Sequence, residues 1–235
     1  MQGLFVTATD TDVGKTWITS LIAEELTNAG THVGTYKPAC SGSESDEAGD
    51  EFWPDLRELS ESVGHAFPIE QICPQRFTAA LAPPVAAESE GRNVDSALLR
   101  SGIEPFRGEV THLLIEGVGG LLCPMTEKET VADLAADLQF PLLIIARGGL
   151  GTINHTLLTV EVARSRGLTI AGVILNHIGP APIDAAFVAS NASQIQKFAN
   201  VPVIGWCDRN SRHIQAAGSG EPAETDWLRF FACAE

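Results

Sequence analysis

The sequence predicts an α/β fold, a mostly parallel β-sheet with helices on both faces, and three observations carry the prediction. Short apolar runs alternate with helix-period segments along the chain, as βαβ units do. The run Leu4-Phe5-Val6 passes through Thr7-Ala-Thr-Asp-Thr-Asp-Val-Gly-Lys-Thr16 into a helix-period segment. That is strand, Gly-Lys-Thr turn and helix, the order a phosphate-binding loop requires. Polar or Gly-rich segments then follow the apolar runs, and open sheets of this kind bind ligands beyond the carboxyl ends of their strands.

Taken in order, residues 4–7 form the first buried strand. Residues 16–29 form a helix with Ile18, Leu21, Ile22, Leu26 and Ala29 on one face and Gly30 as its stop. The second strand, 33–37, is cut off by Pro38. Residues 40–50, rich in Ser, Gly and acids, read as a mobile loop. A polar helix begins at Pro54, a favourable first position, and ends near Val63. Residues 71–91 are the least regular stretch, with a short helix opening at Ala82-Pro-Pro-Val. A helix over 95–106 and a strand over 112–116 follow, the latter ending on an acid. Val131, Leu134, Ala135 and Leu138 share one face of the next helix. Strands at 141–146, 169–176 and 201–206 alternate with helices at 152–166 and 182–199, and 226–233 reads as a last amphipathic helix. No repeat or interdomain linker interrupts the pattern, so residues 1–235 are expected to form one domain.

Composition narrows the function. A formal charge of −15 argues against a sequence-independent nucleic-acid or anionic-membrane partner, since both need a basic face. The longest apolar runs are of strand length, too short to span a bilayer. The start enters a strand directly, with no signal-peptide pattern. Five scattered cysteines without Cys-x-x-Cys suit reduced thiols in a cytoplasm. The only lysines are Lys15, Lys37, Lys128 and Lys197, and the first two stand where a parallel sheet binds anions.

The residues at those strand ends suggest chemistry. Backbone N–H groups, the positive end of a helix and Lys15 converge on one anion, while the Thr16 hydroxyl suits Mg²⁺. Lys37 ends the second strand beside Cys40-Ser-Gly-Ser. Glu116, ending the run Leu113-Leu-Ile opposite the phosphate loop, is well placed for Mg²⁺.

Thr-Asp-Thr-x-Val-Gly-Lys-Thr, Tyr-Lys-Pro-x-x-Ser-Gly-Ser, Glu-Gly-x-Gly-Gly and Leu-Gly-Thr-Ile-Asn-His-Thr-Leu-Leu-Thr occur in that order. Together they resemble the dethiobiotin synthetase family over residues 4–205. The resemblance implies the P-loop NTPase fold, a homodimer, and a cytoplasmic ATP-dependent cyclo-ligase that uses MgATP, CO₂ and 7,8-diaminononanoate. It further implies a carbamate and a carbamic-phosphoric anhydride on the way to dethiobiotin. In its terms Lys37 and Lys15 are catalytic, and Asp12, Val13, Gly14, Lys15, Thr16 and Trp17 enclose the phosphates. Glu116, Gly117, Val118 and Gly119 lie against the nucleotide, and Asn176 with His177 takes the adenine. Thr16, Asp55 and Glu116 hold Mg²⁺, with Asp46 and Asp50 as alternatives to Asp55. Thr11 and Ser41 contact the substrate, and Gly149, Leu150, Gly151, Thr152 and Asn154 hold its carboxylate across the dimer interface. The chain departs from the family at Ala8, where Gly is usual, and at Trp206-Cys-Asp-Arg209, where an Ile-Pro pair is usual. Two other readings stay open: a nucleotide-switch ATPase of the partition or septum-positioning type, and a non-catalytic nucleotide-binding homologue.

Overall fold

The computed structural model describes residues 1–180, 183–209, 211–217 and 225–233. Its elements in chain order are β1 (Gln2–Ala8), α1 (Lys15–Asn28), β2 (Val33–Tyr36), β3 (Cys40–Ser41), β4 (Glu44–Ser45) and β5 (Glu51–Phe52). Next come α2 (Pro54–Ser62), α3 (Ile69–Ile72), β6 (Arg76–Phe77), α4 (Pro83–Ser89), α5 (Ser96–Ser101), β7 (His112–Glu116) and α6 (Val131–Leu138). The chain continues through β8 (Leu142–Arg147), α7 (Thr152–Ser165), β9 (Ile170–Asn176), α8 (Ala185–Ala199), β10 (Val203–Cys207), β11 (Gln215–Ala216) and β12 (Ala232–Cys233). The main sheet runs β11-β10-β9-β8-β1-β7-β2, with only β11 and β12 antiparallel to their neighbours.

The alternation of side chains along each strand divides the core in two. From β1, Phe5 joins Ile115, Ile144, Leu134 and Val160 on one face. Leu4 and Val6 join Ile18, Ile22, Leu114 and Leu143 on the other. Strands covered on both faces read as unbroken apolar runs, which is why β1, β7 and β8 stand out in the sequence.

Four expectations are corrected. Residues 40–50 are not an irregular loop throughout: β3 pairs with β6, and β4 with β5 forms a hairpin. At its tip Asp46 Oδ1 accepts hydrogen bonds from the N–H groups of Ala48 and Asp50, each at 2.9 Å, a turn built by the side chain itself. The expected helix over 95–106 stops at Gly102 and resumes only as the 3₁₀ turn Glu104–Phe106. There the Tyr36 hydroxyl donates to the carbonyls of Leu98 and Leu99 at 3.1 and 2.9 Å. A Cβ on Gly102 would stand 2.2 Å from that hydroxyl. The expected helix over 226–233 is the 3₁₀ turn Trp227–Phe230 followed by β12. β12 pairs with Gln2 and Gly3, while β8 joins β1 only from Phe5 onward, so β12 covers an otherwise open stretch of edge. The helix expected from 182 begins at Ala185, and Pro182 lies outside the described residues.

Ala8 is the last residue of β1, fully buried and paired with Ile145. It is not among the residues with positive φ, so alanine is unstrained where the family usually has glycine. Replacing it with glycine removes a buried methyl and frees the unfolded chain. Ala8→Gly is expected to destabilise the protein by roughly 1–2 kcal/mol. Urea unfolding measures this, and an equal or higher stability would refute the account.

Candidate active site

The loop between β1 and α1 is shaped by two residues in the left-handed region, Asp12 at φ 52° and Gly14 at φ 80°. Only glycine fits the second position, because a Cβ there would lie 2.2 Å from Asn176 Nδ2. That amide donates to the Val13 carbonyl at 2.8 Å and ties the end of β9 to the loop. Lys15 and Thr16 open α1, whose N-terminus has no side-chain cap and no acidic residue in its first turn. Its N–H groups are therefore available to an anion.

Two strand ends and two helices bring these groups together. Lys37 follows β2, its backbone N–H held by the Ile72 carbonyl at 2.8 Å. Its buried ammonium donates to Glu116 Oε1 at 2.6 Å, where β7 ends, and to Asp55 Oδ2 in the first turn of α2. The Thr16 hydroxyl donates to the same Glu116 oxygen at 2.7 Å. Glu116 is fully buried and its Oε2 has no hydrogen-bond partner.

Burial pulls the Lys37 pKa down, but Glu116 and Asp55 outweigh it and hold the ammonium well above the usual lysine value. Asp55 is pushed up by burial but, through Lys37 and then Thr16, ends below its ordinary value. Lys15, less compensated, is lowered by burial despite the opposing pull of Glu116. Burial, followed by the charges of Glu116, Asp55 and Glu61, pushes Glu58 up to about 7.

These groups face a cavity of about 740 Å³ lined by Thr11, Asp12, Gly14, Lys15, Thr16, Trp17, Lys37, Ser41, Asp55, Val118 and Gly119. Glu116 lies beneath it through Lys37 and Thr16. Gly117 is packed against Val131 and Phe5, where a Cβ would meet them at 2.8 and 3.3 Å. Val13 is buried under the loop. His177, next to Asn176, donates its backbone N–H to the Cys207 carbonyl at 2.8 Å. Of the three aspartates considered, Asp55 meets Lys37, while Asp46 and Asp50 belong to the exposed hairpin turn.

Gly149, Leu150, Gly151, Thr152 and Asn154 do not line this cavity. They form the turn into α7, with Asn154 exposed and Leu150 97% exposed. Glu58, Cys123 and Leu81 do line it and were not singled out from the sequence. Glu58 was within reach of helix arithmetic, since it stands one turn after Asp55 on the same face of α2.

A family model described as "AAA domain" matches residues 2–215. An ATP-dependent dethiobiotin synthetase BioD from Anaeromyxobacter dehalogenans (strain 2CP-C) is 42% identical over 222 residues, covering 93% of this chain and 96% of that protein. The protein of the same description from Bacillus cereus (strain B4264) is 40% identical over 206 residues, covering 87% and 82%. Among solved structures, the MinD cell division protein of Aquifex aeolicus aligns with a TM-score of 0.52 at 16% identity, covering 94% of this chain and 88% of that one. A pNOB8 ParA bound to nonspecific DNA aligns with a TM-score of 0.52 at 14% identity, covering 85% and 76%. At that identity the two structures bear on the fold alone, which is that of P-loop nucleotide-binding proteins.

The Asp55 shift sets a pH dependence. A carboxyl held below its unfolded value adds stability above about pH 4, and that stability is lost as pH falls through the folded value. Asp55→Asn is therefore expected to flatten the loss of stability between pH 5 and pH 2. Urea midpoints across that range measure it, and an unchanged acid slope would count against the ion pair.

Proposed function

The chain belongs to the family of ATP-dependent dethiobiotin synthetases, ligases of biotin biosynthesis, and on that premise we propose that its reaction takes place in the cavity over β1, β7 and β2. The observation that carries this reading is Lys37, a buried ammonium facing a phosphate loop across Glu116 and Thr16. The substrates are 7,8-diaminononanoate, CO₂ and ATP. One amine adds to CO₂ and loses a proton, giving a carbamate. The carbamate oxygen takes the γ-phosphoryl group of ATP, forming a carbamic-phosphoric anhydride and ADP. The second amine then attacks the carbonyl carbon, loses its proton, and closes the ureido ring as phosphate leaves.

The residues have separable tasks. The open N-terminus of α1 and Lys15 bind the phosphate chain. Lys37 balances charge that shifts onto the transferring group, a stabilisation that needs no rearrangement because the ammonium is already in place. Asn176, which borders the loop, and its chain neighbour His177 are assigned the base, and Thr11 and Ser41 line the wall left for the diamine.

The donor set fits Mg²⁺. Thr16, Asp55 and Glu116 offer hard oxygens, Glu116 Oε2 is buried without a partner, and a cation already sits between the two carboxylates as Lys37. When bound there, Mg²⁺ supplies neutralisation of the phosphate oxygens.

The carboxylate end of the diamine is assigned to residues 149–154. Because that turn lies outside the cavity of its own chain, the reading requires a homodimer in which each turn serves the neighbouring site. The exposed Leu150, Leu158 and Leu122 supply apolar surface suited to such an interface. No helix among the described residues is long and apolar enough to cross a membrane. Cys40, Cys73, Cys123 and Cys207 are free thiols, in keeping with a cytoplasmic enzyme.

ADP and dethiobiotin are expected to form only when diaminononanoate and bicarbonate are both present. Lys37→Ala is expected to lower kcat about 100-fold or more while ATP still binds. A kcat within a few-fold of the parent, or ADP release without the diamine, would overturn the assignment. Mixed dimers of Lys37→Ala and Asn154→Ala subunits are expected to regain activity, because one of their two composite sites is intact. Verified mixed dimers with none would rule out a shared site.

A further inference from the structure

A second groove, of about 370 Å³, lies between α1 and α2, and the reaction above makes no use of it. Trp17 and Glu58 line both this groove and the nucleotide cavity. Its remaining polar lining comes chiefly from Ser20 and Glu24 of α1, Glu61 of α2, and Arg212. We infer that this groove is a binding site for a small primary ammonium ion, held by Ser20, Glu58 and Glu61 against the ring of Trp17.

Two buried acceptors without partners carry the inference. Ser20 is 7% exposed, yet its hydroxyl has no hydrogen-bond partner, and Glu58 Oε1 on the facing helix has none either. Nearby hydroxyls are satisfied locally, Thr19 by the Lys15 carbonyl at 3.0 Å and Ser62 by the Leu59 carbonyl at 2.8 Å. Seven other buried side-chain atoms among the described residues also lack partners, but Ser20 and Glu58 are the two that line one groove, where a single donor can join them.

Charge identifies the donor. Arg212 is engaged with Glu24, which leaves the carboxylates of Glu58 and Glu61 without a cation among the groove's lining residues. The crowding of carboxylates that helps push Glu58 up to about 7 is what a bound cation relieves. Glu24, Glu58 and Glu61 are not gathered into a single three-ligand cluster. A primary ammonium instead offers three N–H donors for separated acceptors. Trp17 already carries a cation, the Arg212 guanidinium 5.8 Å from its ring, as its electron-rich face favours.

The test titrates nucleotide-free enzyme with propylammonium chloride by calorimetry, at ionic strength held constant with sodium chloride. The expected result is saturable binding at one site per chain, with tetramethylammonium, which lacks N–H donors, failing to saturate. Ser20→Ala and Glu61→Gln are each expected to weaken propylammonium binding about five-fold or more, while MgATP affinity stays within about two-fold. Glu61 is exposed, so its variant is expected to fold even if loss of the Ser20 hydroxyl perturbs packing. Absence of saturable binding, equal binding of tetramethylammonium, or unchanged affinity in a folded Glu61→Gln would overturn the inference. Titration with diaminononanoate distinguishes the sources: two sites in the parent and one in Glu61→Gln support the substrate as occupant. One site in both, with propylammonium binding intact in the parent, supports a free amine.

Discussion

The burial of Lys37 between Glu116 and Asp55 is the constraint on which the rest of the arrangement depends. Moving an ammonium and a carboxylate out of water costs several kcal/mol for each ion, and the cost is offset only by close, well-directed contacts. Those contacts require β2 and β7 to be neighbours, α2 to start over their ends, and Thr16 to reach across from α1. A sheet order of β8-β1-β7-β2 meets all three demands, because it sets the phosphate loop one strand away from Glu116 and two from Lys37. The charge cluster contributes little net stability on this argument. What it secures is a cation and one carboxylate, Glu116, already stripped of water, with the half-exposed Asp55 beside them, next to the phosphate loop.

The sequence was readable where one physical rule decided the outcome. β1, β7 and β8 are covered on both faces, so they appear as continuous apolar runs whatever surrounds them. α6 was equally plain, because its buried Val131, Leu134, Ala135 and Leu138 fall on one face. Errors came where distant contacts decided. Local propensity gives no sign that Tyr36 would end a helix at Gly102, or that residues 232–233 would become a strand because β1 leaves an edge open. The acidic loop was misread for a different reason. Its polar composition suits disorder as well as a hairpin, and the choice rests on pairing with β6 and on the turn at Asp46.

The candidate site followed the same division. Lys15, Thr16, Lys37 and Glu116 could be placed from motifs, since each sits at a strand end that the apolar runs locate. Asp55 was preferred over Asp46 and Asp50 on the family resemblance alone, and of the three it is the one that contacts Lys37. Glu58 went unnoticed because its position matters only once α2 is laid beside α1. For residues 149–154 the sequence gives a motif but no location, and in one chain they do not line the cavity.

Structural likeness alone would not have separated this enzyme from its neighbours. MinD and ParA share its fold at 14–16% identity over most of its length, and a fold does not specify chemistry. More specific information lies in what this chain's strand ends carry. A phosphate loop with Lys15 needs only β1 and α1, and it would serve a switch or a ligase alike. A second buried lysine at the end of β2, compensated by a carboxylate at the end of β7, is a further commitment. Under the proposed function, the carbamate that accepts the phosphoryl group is the second anionic reactant this charge would serve. Ala8 completes the reasoning from the opposite direction. Its place in β1 requires no positive φ, so departing from the usual glycine leaves the backbone path into the phosphate loop intact, and the substitution is compatible with a catalytic chain.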